Sequence, residues 1–204
     1  MSHFVVLVIG KDPEKQLEPY WELDLPTKKL GNDPRAVFEV KIVEDRSEET
    51  FNQWKEENPG LNKKYNYENA TEWLKEWHGF ILKKGSGYGY YHNPNAKWDW
   101  FEIGGRWTGY FELKEGKSGI VGTPGLMTEP AKKGFVDQVK KGDVKNIKTP
   151  SAVVKNGIWF ERGEMSWFGI VTNEKEKDSW EEEFRKLLED VSNNTLLTVI
   201  DCHI

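Results

Sequence analysis

At 204 residues the chain is long enough for one hydrophobic core, with room for a sizeable insertion. Its 34 acidic and 29 basic residues give a net charge of −5, which excludes a general nucleic-acid binder, since that needs a basic face to displace counterions. A single cysteine, Cys202, excludes an internal disulfide; the apolar run Phe4 to Gly10 is too short for a membrane span and lacks a basic flank, so a cytoplasmic protein with no membrane partner is expected.

In chain order, residues 3–10 predict a buried strand, closed by the turn chemistry of Lys11-Asp12-Pro13. Residues 12–36, dotted with Pro and Asp, read as irregular. Val37 to Val43 alternates and predicts a strand with one wet face. Ser47-Glu48-Glu49 opens a helix carrying Phe51 and Trp54 and ending before Pro59. A second helix over about 67–78 places Trp73, Leu74 and Trp77 on one face. Residues 83–95 read as a Gly/Tyr loop with lid character, carrying His92.

Residues 97–114 predict a strand, a Gly-Gly turn and a second strand; 130–141 predict a short helix. Val153 to Phe160, with Asn156-Gly157 at its centre, predicts a type I′ hairpin. A strand near 167–172 follows, then a helix from Asp178 to about Val191 with Trp180, Phe184, Leu187 and Leu188 inward. Leu196 to His203 predicts the final strand. The expected fold is a single α+β domain over 1–204. Its mixed or antiparallel sheet has flanking helices and is loosely ferredoxin-like, with an aromatic, Gly-rich elaboration at about 45–145.

Both terminal strands carry a histidine at the outer end. If they are antiparallel neighbours, His3 and His203 face each other with Cα atoms roughly 5 Å apart; if parallel, they lie at opposite ends of the sheet. The strand–helix–strand order favours adjacent antiparallel strands. Asp201 shares a face with His203 and is placed to orient either histidine, while Cys202 points the other way. Two imidazoles and a carboxylate allow metal-free phosphodiester cleavage, one histidine taking a proton and the other giving one. They also allow a divalent metal site of His3, Asp201, His203 and a fourth ligand such as Glu164, or plain packing and anion binding at a sheet end. Chemistry without a cofactor is the expectation.

Ten tryptophans, seven tyrosines and ten phenylalanines suit either a core of large side chains or an aromatic-walled pocket for a planar ligand. The densest segment is Lys97-Trp98-Asp99-Trp100-Phe101-Glu102-Ile103-Gly104-Gly105-Arg106-Trp107. Strand alternation would put Trp98 and Trp100 on one face, with Asp99 and Phe101 on the other. A nucleotide seat would use Trp98, Trp100 and Trp107 for the base and Lys97 and Arg106 for phosphate. Gly104 and Gly105 would allow close approach. The structural alternative is an Arg106–Asp99 pair tying a turn to a Trp-rich core. In the second cluster, Arg162-Gly163-Glu164-Met165-Ser166-Trp167, Glu164 sits among bulky apolar residues as a candidate acid or base, or as a partner of Arg162 or Arg106, and Trp167 joins the ligand wall.

Met1-Ser2-His3-Phe4, the Lys97 to Trp107 block, Arg162-Gly163-Glu164-Met165 and Asp201-Cys202-His203-Ile204 together resemble a family of uncharacterised proteins encoded by bacteriophages and some bacteria. The resemblance implies a phage or prophage setting, hence the host cytoplasm. It raises a nucleotide immune signal as the ligand, by association with small phage proteins that bind or destroy such signals. The paired-histidine phosphoesterases offer a chemical analogy, though their motif is His-x-Thr or His-x-Ser, whereas Phe4-Val5 follows His3 here. Three functional expectations result: a nucleotide phosphodiesterase, a sponge that sequesters the nucleotide as an oligomer, or a protein-binding inhibitor of a host enzyme.

Overall fold

Strand β1 (His3–Ile9) lies at the heart of a seven-stranded sheet in this computed structural model, which describes residues 2–23, 27–165 and 170–204. The other strands are β2 (Trp100–Gly105), β3 (Thr123–Pro124), β4 (Gln138–Lys140), β5 (Ala152–Lys155), β6 (Ile158–Glu161) and β7 (Leu196–His203). The order is β6-β5-β1-β7-β2-β3, and β4 pairs with the first half of β7. β1 runs antiparallel to β7 and parallel to β5, so the sheet is mixed and the fold is α+β. The ferredoxin-like likeness extends no further than the β1–β7 pair, because that parallel neighbour breaks an all-antiparallel order.

Both faces of β1 are buried, which is why it reads as an unbroken apolar run rather than an alternating one. Val5, Leu7 and Ile9 face one core with Leu197, Val199, Phe111 and Val153, closed by Trp180 and Phe184 of the helix Lys177–Glu189. Phe4, Val6 and Val8 face the other with Val154, Ile200, Cys202, Leu17 and Trp98. Val6, Leu7 and Val8 are fully enclosed, each contributing about 1.5–3 kcal/mol by burial.

The β5–β6 hairpin forms as expected. Asn156 (φ 56°) and Gly157 (φ 74°) both take the positive φ that a type I′ turn requires, and Lys155 pairs with Ile158. Residues 12–36, expected to be irregular, instead include the short helices Pro13–Leu17 and Thr27–Leu30 and a 3₁₀ turn at Glu18–Tyr20. The strand, turn and second strand expected over 97–114 form as Trp100–Gly105, a turn over 106–109 that follows rather than contains the Gly-Gly pair, and Phe111–Glu112, which pairs with Phe135–Val136 rather than with β2. The helix expected over 130–141 is replaced by that short strand, by β4 and by a 3₁₀ turn at Lys141–Asp143. Its apolar residues alternate, Val136 and Val139 reaching the core, and the fully buried Asp137 bonds to backbone.

The chain separates into two compact units, one of residues 1–22 with 95–204 and one of residues 23–94. The elaboration expected over 45–145 is thus divided between them. In the second unit the helices Ser47–Glu57 and Ala70–His78 bury Phe51, Trp54, Trp73 and Leu74 as their spacing predicts, while Trp77 is partly exposed. The Gly/Tyr segment, expected to be a loop, forms the middle strand Gly87–His92 between Val37–Ile42 and Ile81–Lys83. A Cβ on Gly89 would fall 1.8 Å from the carbonyl oxygen of Glu39, so glycine serves backbone approach there rather than looseness. His92 ends that strand with its Nε2 3.6 Å from Glu39, not in a lid. No helix among the described residues is long and apolar enough to cross a membrane.

Candidate functional site

The register of β1 on β7 places His3 directly opposite His203. Ser2 and Ile204 exchange both backbone hydrogen bonds at 3.1 Å, so the next pair inward, His3 and His203, is the non-hydrogen-bonded kind, in which side chains stand closest. The ring centroids are 5.0 Å apart at an interplanar angle of 76°. Two residues inward on the same face of β7 lies Asp201, almost fully enclosed.

Each imidazole has its own carboxylate. His3 Nδ1 is 2.9 Å from Asp201 Oδ1, and Asp201 Oδ2 accepts the Arg106 backbone N–H at 2.9 Å. His203 Nδ1 is 2.6 Å from Asp99 Oδ1, which also accepts the Trp100 backbone N–H at 2.6 Å. A carboxylate already accepting from the backbone favours Nδ1–H donors on both rings, which leaves each Nε2 as the lone-pair nitrogen. His203 Nε2 is buried and has no hydrogen-bond partner among the described residues. Trp100 lies over the His203 ring, centroids 5.1 Å apart and planes at 16°, and meets His3 edge-on at 5.3 Å; it is 43% exposed.

The backbone geometry around Asp201 depends on glycine. Gly105 has φ 53°, and a Cβ there would fall 2.4 Å from the Asp201 carboxylate. Gly104, φ 83°, stands likewise against Asp137. Sequence reasoning missed Asp137, whose carboxylate accepts the N–H groups of Gly109 (2.6 Å), Tyr110 (3.3 Å) and Gly122 (2.8 Å) and so braces the turn that presents Arg106 to Asp201. Its signal was a lone acid inside the run Phe135-Val136-Asp137-Gln138-Val139. Also missed was Glu102, cross-strand neighbour of Asp201 and in the same row as Trp100 by strand alternation.

Several expected ligand residues are placed elsewhere. A bend at Asp99 interrupts the alternation, so Trp98 and Trp100 do not share a face. Trp98 is buried against Phe101 and donates its indole N–H to the Leu17 carbonyl, whereas Asp99 and Trp100 both reach His203. Lys97 pairs with Glu161 at 2.7 Å, and Trp107 packs against the first core. Arg106 reaches the site through its backbone N–H while its side chain is exposed, and the alternative Arg106–Asp99 pair is replaced by Asp99–His203. Glu164 is exposed on a small separate two-stranded sheet and accepts from Asn173 at 3.3 Å, so it is not embedded in apolar packing, and Arg162 pairs with Glu174. Trp167 lies outside the described residues.

Cys202 points to the opposite face as expected, and burial, reinforced by the Asp201 charge, pushes its thiol pKa well above the usual range. Among the described residues, no group of three or more His, Cys, Asp or Glu is positioned to share a metal ion. Asp201 is already engaged by His3 and Arg106, so a metal on this pair would be held through Nε2 atoms, with the carboxylates as orienting partners. A cavity of about 430 Å³ lined by Trp21, Trp98 and Phe101 lies on the other face of the sheet.

Fold and site together define the class: an α+β protein with two histidine–carboxylate pairs at the end of a mixed sheet. No protein-family model, curated protein or solved structure matches the chain.

Proposed function

We propose that this is a cytoplasmic protein of a phage or prophage setting that recognises a small anionic, nucleotide-like ligand and cleaves a phosphodiester in it. The supporting observation is the facing His3–His203 pair, each ring oriented through Nδ1 by its own carboxylate. In this reading one Nε2 removes the proton of the attacking hydroxyl as its oxygen bonds to phosphorus. The other imidazole, protonated, gives its proton to the leaving oxygen as that P–O bond breaks. Arg106 supplies charge for the phosphate from the turn beside Asp201. The open face of Trp100 supplies a stacking surface for the base.

A second reading, sequestration without turnover, is favoured by the burial of His203 Nε2, since an enclosed nitrogen must be uncovered before it can trade protons. Incubation with a panel of cyclic and linear nucleotides followed by chromatography separates the two. New products mean cleavage; intact nucleotide released only on heat denaturation means sequestration. No interaction with any member sinks both and moves weight to a protein-binding inhibitor. Loss of activity in EDTA would favour a metal-dependent version of the cleavage over the metal-free one.

A further inference from the structure

Two wholly exposed apolar side chains stand at the tip of a pinned turn. Leu126 is 92% and Met127 98% exposed, and Met127 has φ 64°, a left-handed conformation rarely adopted by an unbranched apolar residue. The turn is closed by Thr128 N–H on the Gly125 carbonyl at 3.0 Å and tied to the sheet by Gly125 N–H on the Gly105 carbonyl at 2.8 Å. A held turn with its largest side chains in water is shaped for a partner. Exposed Arg106 lies beside it, and exposed Glu129, Lys132 and Lys133 lie further along the same loop, three cations to one carboxylate.

The same unit contains a complementary receptacle. The cavity floored by Trp21, Trp98 and Phe101 has a volume of about 430 Å³, with Glu14, Lys15 and Glu18 also lining it. The eight non-hydrogen side-chain atoms of a leucine and a methionine need roughly 240 Å³ if each takes about the share of a water molecule, so both fit. A methionine thioether among aromatic rings makes favourable sulfur–aromatic contacts. The two lining acids complement the basic flank of the tip.

We infer that the partner is a second copy of this chain, docked head to tail with Leu126 and Met127 of one copy in the aromatic cavity of the next. Such an interface is heterologous, so it propagates into a ring or a filament rather than stopping at a two-fold dimer.

Sedimentation velocity on the full chain, from micromolar to millimolar at low ionic strength, tests this. Wild type is expected to assemble with concentration. Met127→Asp, which also suits a left-handed position, and the cavity variant Glu14→Lys/Glu18→Lys are each expected to weaken assembly at least tenfold. Mixed together, the two variants should form a 1:1 dimer and nothing larger, because each retains one good half. A wild type that stays monomeric throughout, variants that assemble as well as wild type, or a mixture that forms no dimer would each overturn the proposal. None of these outcomes depends on nucleotide chemistry, so failure here is distinct from failure of the proposed activity.

Discussion

His3 and His203 stand opposite each other across β1 and β7, with ring centroids 5.0 Å apart and Nδ1 atoms held by different carboxylates, Asp201 and Asp99. If the two exchange protons with one substrate, neither is redundant. His3→Ala and His203→Ala are each expected to lower the rate of nucleotide cleavage by about 10²–10⁴-fold while leaving binding nearly intact. Single-turnover chromatography checks the rate and calorimetry the binding. Normal cleavage by both variants would refute the acid–base assignment.

Asp201 is buried and accepts two hydrogen bonds, one from an imidazole and one from the Arg106 backbone. In Asp201→Asn the amide cannot accept through both atoms, so one donor is left poorly satisfied. The expected loss is about 2 kcal/mol, from the range for hydrogen bonds to charged groups. Urea unfolding with an unchanged m-value would report it.

Gly105 and Gly157 both have positive φ but differ in what surrounds them. A Cβ at Gly157 meets nothing within 4 Å, so Gly157→Ala should cost only about 1–2 kcal/mol of backbone strain. The same atom at Gly105 would strike Asp201 at 2.4 Å, so Gly105→Ala should cost more than about 3 kcal/mol, adding overpacking to that strain. Equal thermal shifts in the two variants would contradict the close approach.

Asp137 braces three backbone N–H groups from an enclosed position. Asp137→Ala would leave all three unsatisfied, and at about 1–3 kcal/mol each the expected loss is about 3 kcal/mol or more. Amide hydrogen exchange should show faster exchange at Gly109, Tyr110 and Gly122. Retained protection there would mean the carboxylate is not the brace.

His78, at the end of Ala70–His78 and edge-on to Trp73, has its pKa lowered from 6.5 by burial. The unfolded chain therefore takes up a proton at a higher pH than the folded one does. Its contribution to stability is complete above pH 6.5 and is lost as pH falls through the lower folded value. Chemical denaturation between pH 7.5 and 5 should show that decline in wild type and a flatter profile in His78→Phe. Identical slopes would rule out His78 as the source.

What the amino-acid order determined by itself is local. The apolar run of β1, the Asn156-Gly157 turn, and the Phe51/Trp54 and Trp180/Phe184 helix faces were legible because periodicity and turn geometry depend on near neighbours. The adjacent antiparallel ends were expected from chain order, and β1–β7 pairing bears that out. Tertiary structure alone decided which carboxylate each histidine met, because Asp99 reaches His203 across 104 positions. It also decided that Trp98 is core while Trp100 is open, since one bend at Asp99 reverses the alternation. The glycines of Gly87–His92 looked like a loop because composition registers missing side chains, whereas the reason they are missing, a neighbouring strand's backbone, appears only once the chain has folded.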